Sequence, residues 1–173
     1  MISIATLNCN SVKVKYKKII NYINSDILLL QETKLIKSTK QEKKIKKYAK
    51  RQQYNTIYNS NTKGSKGVAT MYNTNKFEHI QTYVNNNANL LIIQLLHKKS
   101  KQLLQIINTY FPAESKQQRI TYINNISFDS TIPTIMGGDT NMILQKKDTN
   151  NKNRNPDQGE LAKLSSFLDS NQL

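Results

Sequence analysis

Residues 135–141, IMGGDTN, close an apolar run with two glycines, a carboxylate and, two positions on, an amide. Three other polar residues stand in the same context. Asn8 follows the run 4–7, Glu32 follows 28–31, and Tyr110 follows 106–109. Two carboxylates, two amides and a phenol, each at the exit of an apolar stretch, make a donor set suited to phosphate chemistry. A hard divalent cation such as Mg²⁺ takes one or two carboxylates and keeps positions open for water and phosphate oxygens. Within that set Glu32 suits the metal ligand, with Asn8 as its neutral neighbour. Asp139 suits orienting or deprotonating a water. The Asn141 NH₂ can donate to a phosphate oxygen, and the Tyr110 hydroxyl can donate to a non-bridging oxygen as charge develops there. Gly137 and Gly138 let the backbone turn and a substrate approach closely. Each residue alone also has a plainer reading, a solvated strand end or an Asx turn. Their joint recurrence at successive strand exits is what points to a site.

The elements that must position these residues can be read from hydrophobic spacing. Residues 2–7 read as a strand. Tyr16, Ile19, Ile20 and Ile23 fall on one helical face. Residues 26–30 form a continuous apolar run, the pattern of a strand covered on both faces. Residues 34–52 are dense in lysine, yet Ile45, Tyr48 and Ala49 keep helical spacing. Strand-like runs follow at 55–58, 67–72, 77–84, 90–96 and 103–110. Ile120, Ile123 and Ile126 predict a helix, 133–138 a short buried strand, 149–156 a polar loop, and Leu161, Leu164, Phe167 and Leu168 a last helix. Helices at both ends and strands between them predict a layered α/β fold, sheets inside and helices outside. In such sheets the strand exits share an edge, and that edge is where ligands bind.

Composition sets the partners. The chain has 173 residues, enough for one domain with a substantial core. Lys and Arg number 26 against 11 Asp and Glu, a net charge of +15, which suits a polyanion, nucleic acid before an anionic membrane. An AT-rich coding sequence would also enrich Lys, Asn, Ile and Tyr without selection for binding, so both readings of the charge stay open at this point. The single cysteine, Cys9, can form no internal disulfide and reads as a small buried residue in a reducing compartment. No stretch has the length of a membrane span and the N-terminus has no basic signal region, so a nuclear or cytoplasmic location is expected. Nothing in the sequence calls for an obligate oligomer.

Five segments, TLNCNSV (6–12), DILLLQETKL (26–35), KGVATMYN (66–73), INTYFPAE (107–114) and IMGGDTN (135–141), occur in the order found in the endonuclease/exonuclease/phosphatase (DNase I-like) family. Over its whole length the chain most resembles the apurinic-type endonuclease domain of non-LTR, LINE-like retrotransposons. The pair formed by LQET and the later GGDxN is the specific part of the resemblance. It implies a four-layer α/β sandwich and hydrolysis of DNA phosphodiester bonds with Mg²⁺, or Mn²⁺ in its place. Carried over, it makes Glu32 the metal-binding acid, with Asn8 supporting the metal site. Tyr110 contacts the phosphate, Asp139 positions the attacking water, and Asn141 binds the scissile phosphate.

The chain also departs from the family pattern. Asn10 stands where some relatives carry an Asp near the metal, and Thr140 replaces a usual aromatic. The family's closing Ser-Asp-His segment has no counterpart after Asn141. The only histidines, His79 and His97, fall in the strand-rich middle with no preceding Asp. The expectation is a single domain over 1–173, shortened at its C-terminus with an incomplete second sheet and weak turnover. Two alternatives stand beside a DNA endonuclease. One is an inactive nucleic-acid-binding retroelement remnant. The other is a phospholipid or nucleotide phosphodiesterase of the same fold, disfavoured by the lack of an exposed apolar loop in the sequence.

Overall fold

The structure is a computed structural model of the 173-residue chain and describes residues 1–37, 39–145, 148 and 155–173. Most of the polar loop expected at 149–156 lies outside the described residues. By its internal contacts the chain divides into two compact units. The first is Met1–Tyr110 with Thr131–Asp139, and the second is Phe111–Ser130 with Thr140–Leu173.

The first unit holds two four-stranded sheets. In the first sheet β1 (Ile4–Asn8), β2 (Ile27–Gln31), β4 (Val68–Asn73) and β3 (Tyr54–Asn59) lie in that order. The β1–β2 pair is parallel, joined by a crossover through α1 (Tyr16–Tyr22), and the other pairs are antiparallel. The second sheet runs β5 (Phe77–Val84), β6 (Leu90–His97), β7 (Leu103–Tyr110) and β8 (Thr134–Asp139), with only β7–β8 parallel.

The apolar run of β2 is buried at every position because both faces of its sheet are covered. Its alternation sends Ile27 and Leu29 one way and Leu28 and Leu30 the other. Ile27 and Leu29, with Val68 and Tyr72, meet Phe77, Leu91, Ile93 and Ile106 of the second sheet, so this cluster is the filling of a sandwich. Leu28, Leu30 and Met71 face the other side and pack on Ile19 and Ile20 of α1 and on Ile45 and Ala49 of α2 (Lys40–Arg51). The α2 helix starts where Thr39 Oγ1 accepts the Glu42 N–H at 3.3 Å, and it ends in Lys50 and Arg51, opposite in sign to its dipole end. Cys9 is buried as expected, and that burial pushes its thiol pKa up to about 11.

The second unit contains α3 (Lys116–Asn124) and α4 (Gln158–Ser170), which pack on each other. Ser115 and Asp157 cap them by accepting the Gln118 and Glu160 N–H groups. The helices are pinned by Lys116 to Asp157 at 2.7 Å and Arg119 to Glu160 at 2.6 Å. Among the described residues no helix is long and apolar enough to cross a membrane.

Candidate active site

Parallel pairing brings strand ends together in register. Asn8, the last residue of β1, lies opposite Gln31, the last of β2, so Glu32 leaves the sheet beside Asn8. Tyr110 and Asp139 are likewise the paired last residues of β7 and β8. Each sheet therefore delivers two of the predicted residues to one edge, and hydrogen bonds join the two sheets there. Asn8 Nδ2 donates to Glu32 Oε1 at 2.8 Å and to Asp139 Oδ2 at 2.7 Å. The Tyr110 hydroxyl donates to Glu32 Oε1 at 3.2 Å. Tyr110 is 8% exposed, packed by its ring into the sandwich with its hydroxyl at the carboxylate. Four of the five expected residues thus form one constellation, with two carboxylates on a single amide nitrogen. Asn141 belongs to the second unit. There its backbone is left-handed at φ 50°, and its Nδ2 donates to the Phe111 carbonyl at 2.7 Å.

The loops that hold this edge are strained. Asn10, Ser11, Glu32, Lys34 and Lys66 all have positive φ without being glycine. Such conformations cost about 1–3 kcal/mol each and persist only where neighbours over-determine them. Here the bonds do so. The Glu32 carbonyl accepts from Ser11 N–H at 2.7 Å, the Thr33 carbonyl from Val12 at 3.1 Å, and the Lys66 carbonyl from Lys34 at 2.8 Å. The left-handed turn at Glu32 is what swings its carboxylate out of the strand line.

The two glycines have a different reason from the one expected of them. They lie inside β8, as the strand expected at 133–138 has them, though that strand is only half-buried. A Cβ on Gly138 would sit 1.9 Å from the Thr109 carbonyl oxygen, and one on Gly137 would sit 2.7 Å from Leu29 Cδ1. Close approach to β7 and to the facing sheet excludes side chains there, and the requirement is packing, not access for a substrate.

The charge state of Glu32 follows from its partners. The hydrogen bond from Asn8 holds its carboxyl below the ordinary 4.5, with Lys34 and Tyr110 adding to the effect and partial burial opposing it. Lys34 Nζ lies 3.3 Å from Glu32 Oε2 and also donates to Asn10 Oδ1. A lowered folded pKa stabilises the fold above the unfolded value, and that contribution is lost as pH falls through the folded value. The chain has five glutamates, so carboxyl-¹³C glutamate labelling can follow them separately by NMR. The Glu32 resonance is expected to titrate with a midpoint below 4.5 and to move up in Asn8→Ala. A midpoint at or above 4.5 would contradict this reading of the carboxylate.

What sequence reasoning missed lies one layer beneath. Gln31 Nε2 donates to Asn108 Oδ1 at 2.8 Å and to Thr6 Oγ1 at 3.1 Å. Asn108 Nδ2 donates to the Ala69 carbonyl at 2.8 Å and the Leu30 carbonyl at 3.3 Å. Both amides are buried between the sheets, directly before Glu32 and two residues before Tyr110. The available signal was a polar residue on the inward alternation of two otherwise apolar strands.

A hard cation fits these donors. Glu32 Oε1 and Asp139 Oδ2 both accept from the Asn8 NH₂, a partly positive donor that stands where a cation would draw the same two oxygens, and Asn8 Oδ1 accepts from the Asn10 N–H at 3.1 Å. The described residues hold no group of three or more His, Cys, Asp or Glu that could hold a metal. A cation here would therefore rest on two carboxylates, an amide, water and substrate oxygens, the arrangement Mg²⁺ prefers.

Solved structures show the same fold. An AP endonuclease from Archaeoglobus fulgidus superimposes with a TM-score of 0.77 at 20% identity, covering 98% of this chain and 71% of that one. The Neisseria 3′ phosphatase NExo, bound to product DNA hairpin, gives 0.73 at 16% identity over 98% and 71%. TDP2 from D. rerio, complexed with a single-strand DNA product, gives 0.60 at 19% over 85% and 63%. No curated protein matches the chain in sequence. The two-sheet architecture, the edge at which its strands deliver Asn8, Glu32, Tyr110 and Asp139, and a family profile matching residues 5–165 agree, and the chain belongs to the Endonuclease/Exonuclease/phosphatase family.

Proposed function

We propose that the chain is a phosphodiesterase of retroelement-endonuclease type that cleaves DNA with Mg²⁺. The observation that carries this is the Glu32–Asn8–Asp139 constellation, in which one amide draws two carboxylates from different sheets together. When bound, Mg²⁺ supplies Lewis-acid polarisation of a phosphoryl oxygen. Glu32 and Asn8 would hold it. Asp139, at the end of β8, accepts a proton from an attacking water and orients it. The Tyr110 hydroxyl, already directed at Glu32 Oε1, donates to a non-bridging phosphate oxygen. Asn141 carries its phosphate-binding assignment from the GGDxN motif. A DNA substrate is supported by the neighbours crystallised with DNA products, and the retroelement class by the motifs LQET and GGDxN in their order.

Two readouts test the reading. Mn²⁺ paramagnetic resonance should show a bound ion that Glu32→Ala loses, a loss larger than the roughly 10–100-fold that removal of an outer-shell partner costs. Supercoiled plasmid should be nicked only with a divalent ion and only by protein that retains Glu32. Metal binding unchanged in Glu32→Ala would overturn the assignment.

A further inference from the structure

The charge of the chain is not spread evenly. Residues 13–51 hold 13 of the 26 Lys and Arg and 3 of the 11 Asp and Glu. Asn, which draws on the same AT-rich codons as Lys, places only 2 of its 22 residues there. Helix preference does not account for the excess, because the chain supplies its own controls. Of the 12 residues of α2, 7 are Lys or Arg. The 9 residues of α3 include only Lys116 and Arg119, both spent in ion pairs with α4, and the 13 residues of α4 include only Lys163. Codon bias and helix propensity act on every helix, yet only in α2 do Lys and Arg form the majority.

Lys40, Lys43, Lys44, Lys47, Lys50 and Arg51 follow one another at helical spacing and are all exposed. Ile45 and Ala49, on the opposite side, are fully buried on the first sheet. The one acid of the helix, Glu42, is held by Lys46 at 2.8 Å and does not interrupt the stripe. At its N-terminal end Lys44 joins Lys13 and Lys17 around an open groove of about 620 Å³, lined also by the exposed Val14 and Ile36. The stripe then runs away from the strand-exit edge for about 18 Å, the length of roughly five base pairs.

We propose that this outer helix layer is a second nucleic-acid surface, a track that holds the sugar-phosphate backbone of DNA beyond the cleavage edge. The inference rests on the reading of DNA as substrate and not on the hydrolytic chemistry. A nucleic acid fits better than a membrane. A helix that lies in a membrane surface presents an apolar face to it, and the apolar face of α2 is already used on the sheet.

The test is binding of a fluorescent 30-base-pair duplex by anisotropy at several salt concentrations. Two triple variants remove the same charge. One is Lys43→Gln, Lys44→Gln and Lys47→Gln on the stripe. The other is Lys98→Gln, Lys99→Gln and Lys101→Gln on the exposed β6–β7 turn. Gln matches Lys in helix preference, and melting curves confirm that both variants fold. The stripe variant should lose about tenfold or more in affinity at 0.1 M salt and about 2–3 units of salt slope. The turn variant should stay within about twofold. Equal losses in both triples would mean that net charge alone acts, and would overturn the proposal. So would no loss in the stripe variant, no binding of the duplex at low salt, or equal affinity for phosphatidylglycerol vesicles. Failure of plasmid nicking would bear on the hydrolytic reading and leave these outcomes as they stand.

Discussion

Plasmid nicking by the 173-residue polypeptide is expected to be slow even in saturating Mg²⁺, on the order of 10²–10⁴-fold below that of an enzyme with general acid–base help. The resemblance implies an Asp-His pair for that help, and the structure shows that neither histidine of this sequence can substitute. Tyr110 ends β7 opposite the start of β6, while His97 is the last residue of β6, roughly 25 Å along the strand. His79 pairs with Leu95 near that same far end. Both rings are engaged there, His79 with Thr82 at 2.7 Å and His97 with Ser100 at 2.8 Å. In the proposed mechanism the constellation holds a cation and grips a phosphate, and among the described residues of that edge Asp139 is the group assigned to take a proton. The check is a side-by-side nicking assay against the Archaeoglobus AP endonuclease, with Glu32→Ala to expose contaminating nuclease. A rate within tenfold of that enzyme, abolished in Glu32→Ala, would show that Asp139 and water suffice.

Replacing Asn108 by alanine is expected to destabilise the fold by roughly 2–4 kcal/mol. The side chain is fully buried and satisfies three groups at once: the Gln31 amide and the carbonyls of Leu30 and Ala69. Removing it leaves those groups without water to replace it, and each buried polar group so orphaned costs about 1–3 kcal/mol. Asn108 also bonds Gln31, the residue before Glu32, and stands two positions before Tyr110, so the Glu32 titration should shift in a milder variant, Asn108→Ser. Urea denaturation checks the first effect. A loss below about 1 kcal/mol would mean that Gln31 re-forms its bonds elsewhere and that the amide pair does not pin the sheets.

The sequence was most legible where one physical pattern ruled. The strands 77–84 and 103–110 coincide with β5 and β7, because runs of β-branched, aromatic and aliphatic residues bounded by turn residues mark strands whichever face they bury. The four edge residues were found because parallel strands that end in register share an exit. The Gly137–Gly138 pair was found with the wrong cause, since a close contact with Thr109 and Leu29 leaves the same glycines as a turn would. Gln31 and Asn108 were missed altogether. Their partners are 77 residues apart in the chain, and no local spacing announces a bond between facing sheets. The lysine stripe was visible as a charge run. Only the contrast between exposed α2 and the paired bases of α3 gave it meaning.

The Asn8–Asp139 bond joins residues 131 positions apart. Hairpins such as β6–β7 close short loops and can form early, whereas a contact of this separation must wait until intervening chain is ordered. Assembly of the site is therefore expected to wait on the docking of the sheet that carries β8 against the sheet that carries Asn8 and Glu32. A cation-binding signal would then report that docking during refolding, and a ribosome-bound chain that has not yet emitted residue 139 would have no assembled site.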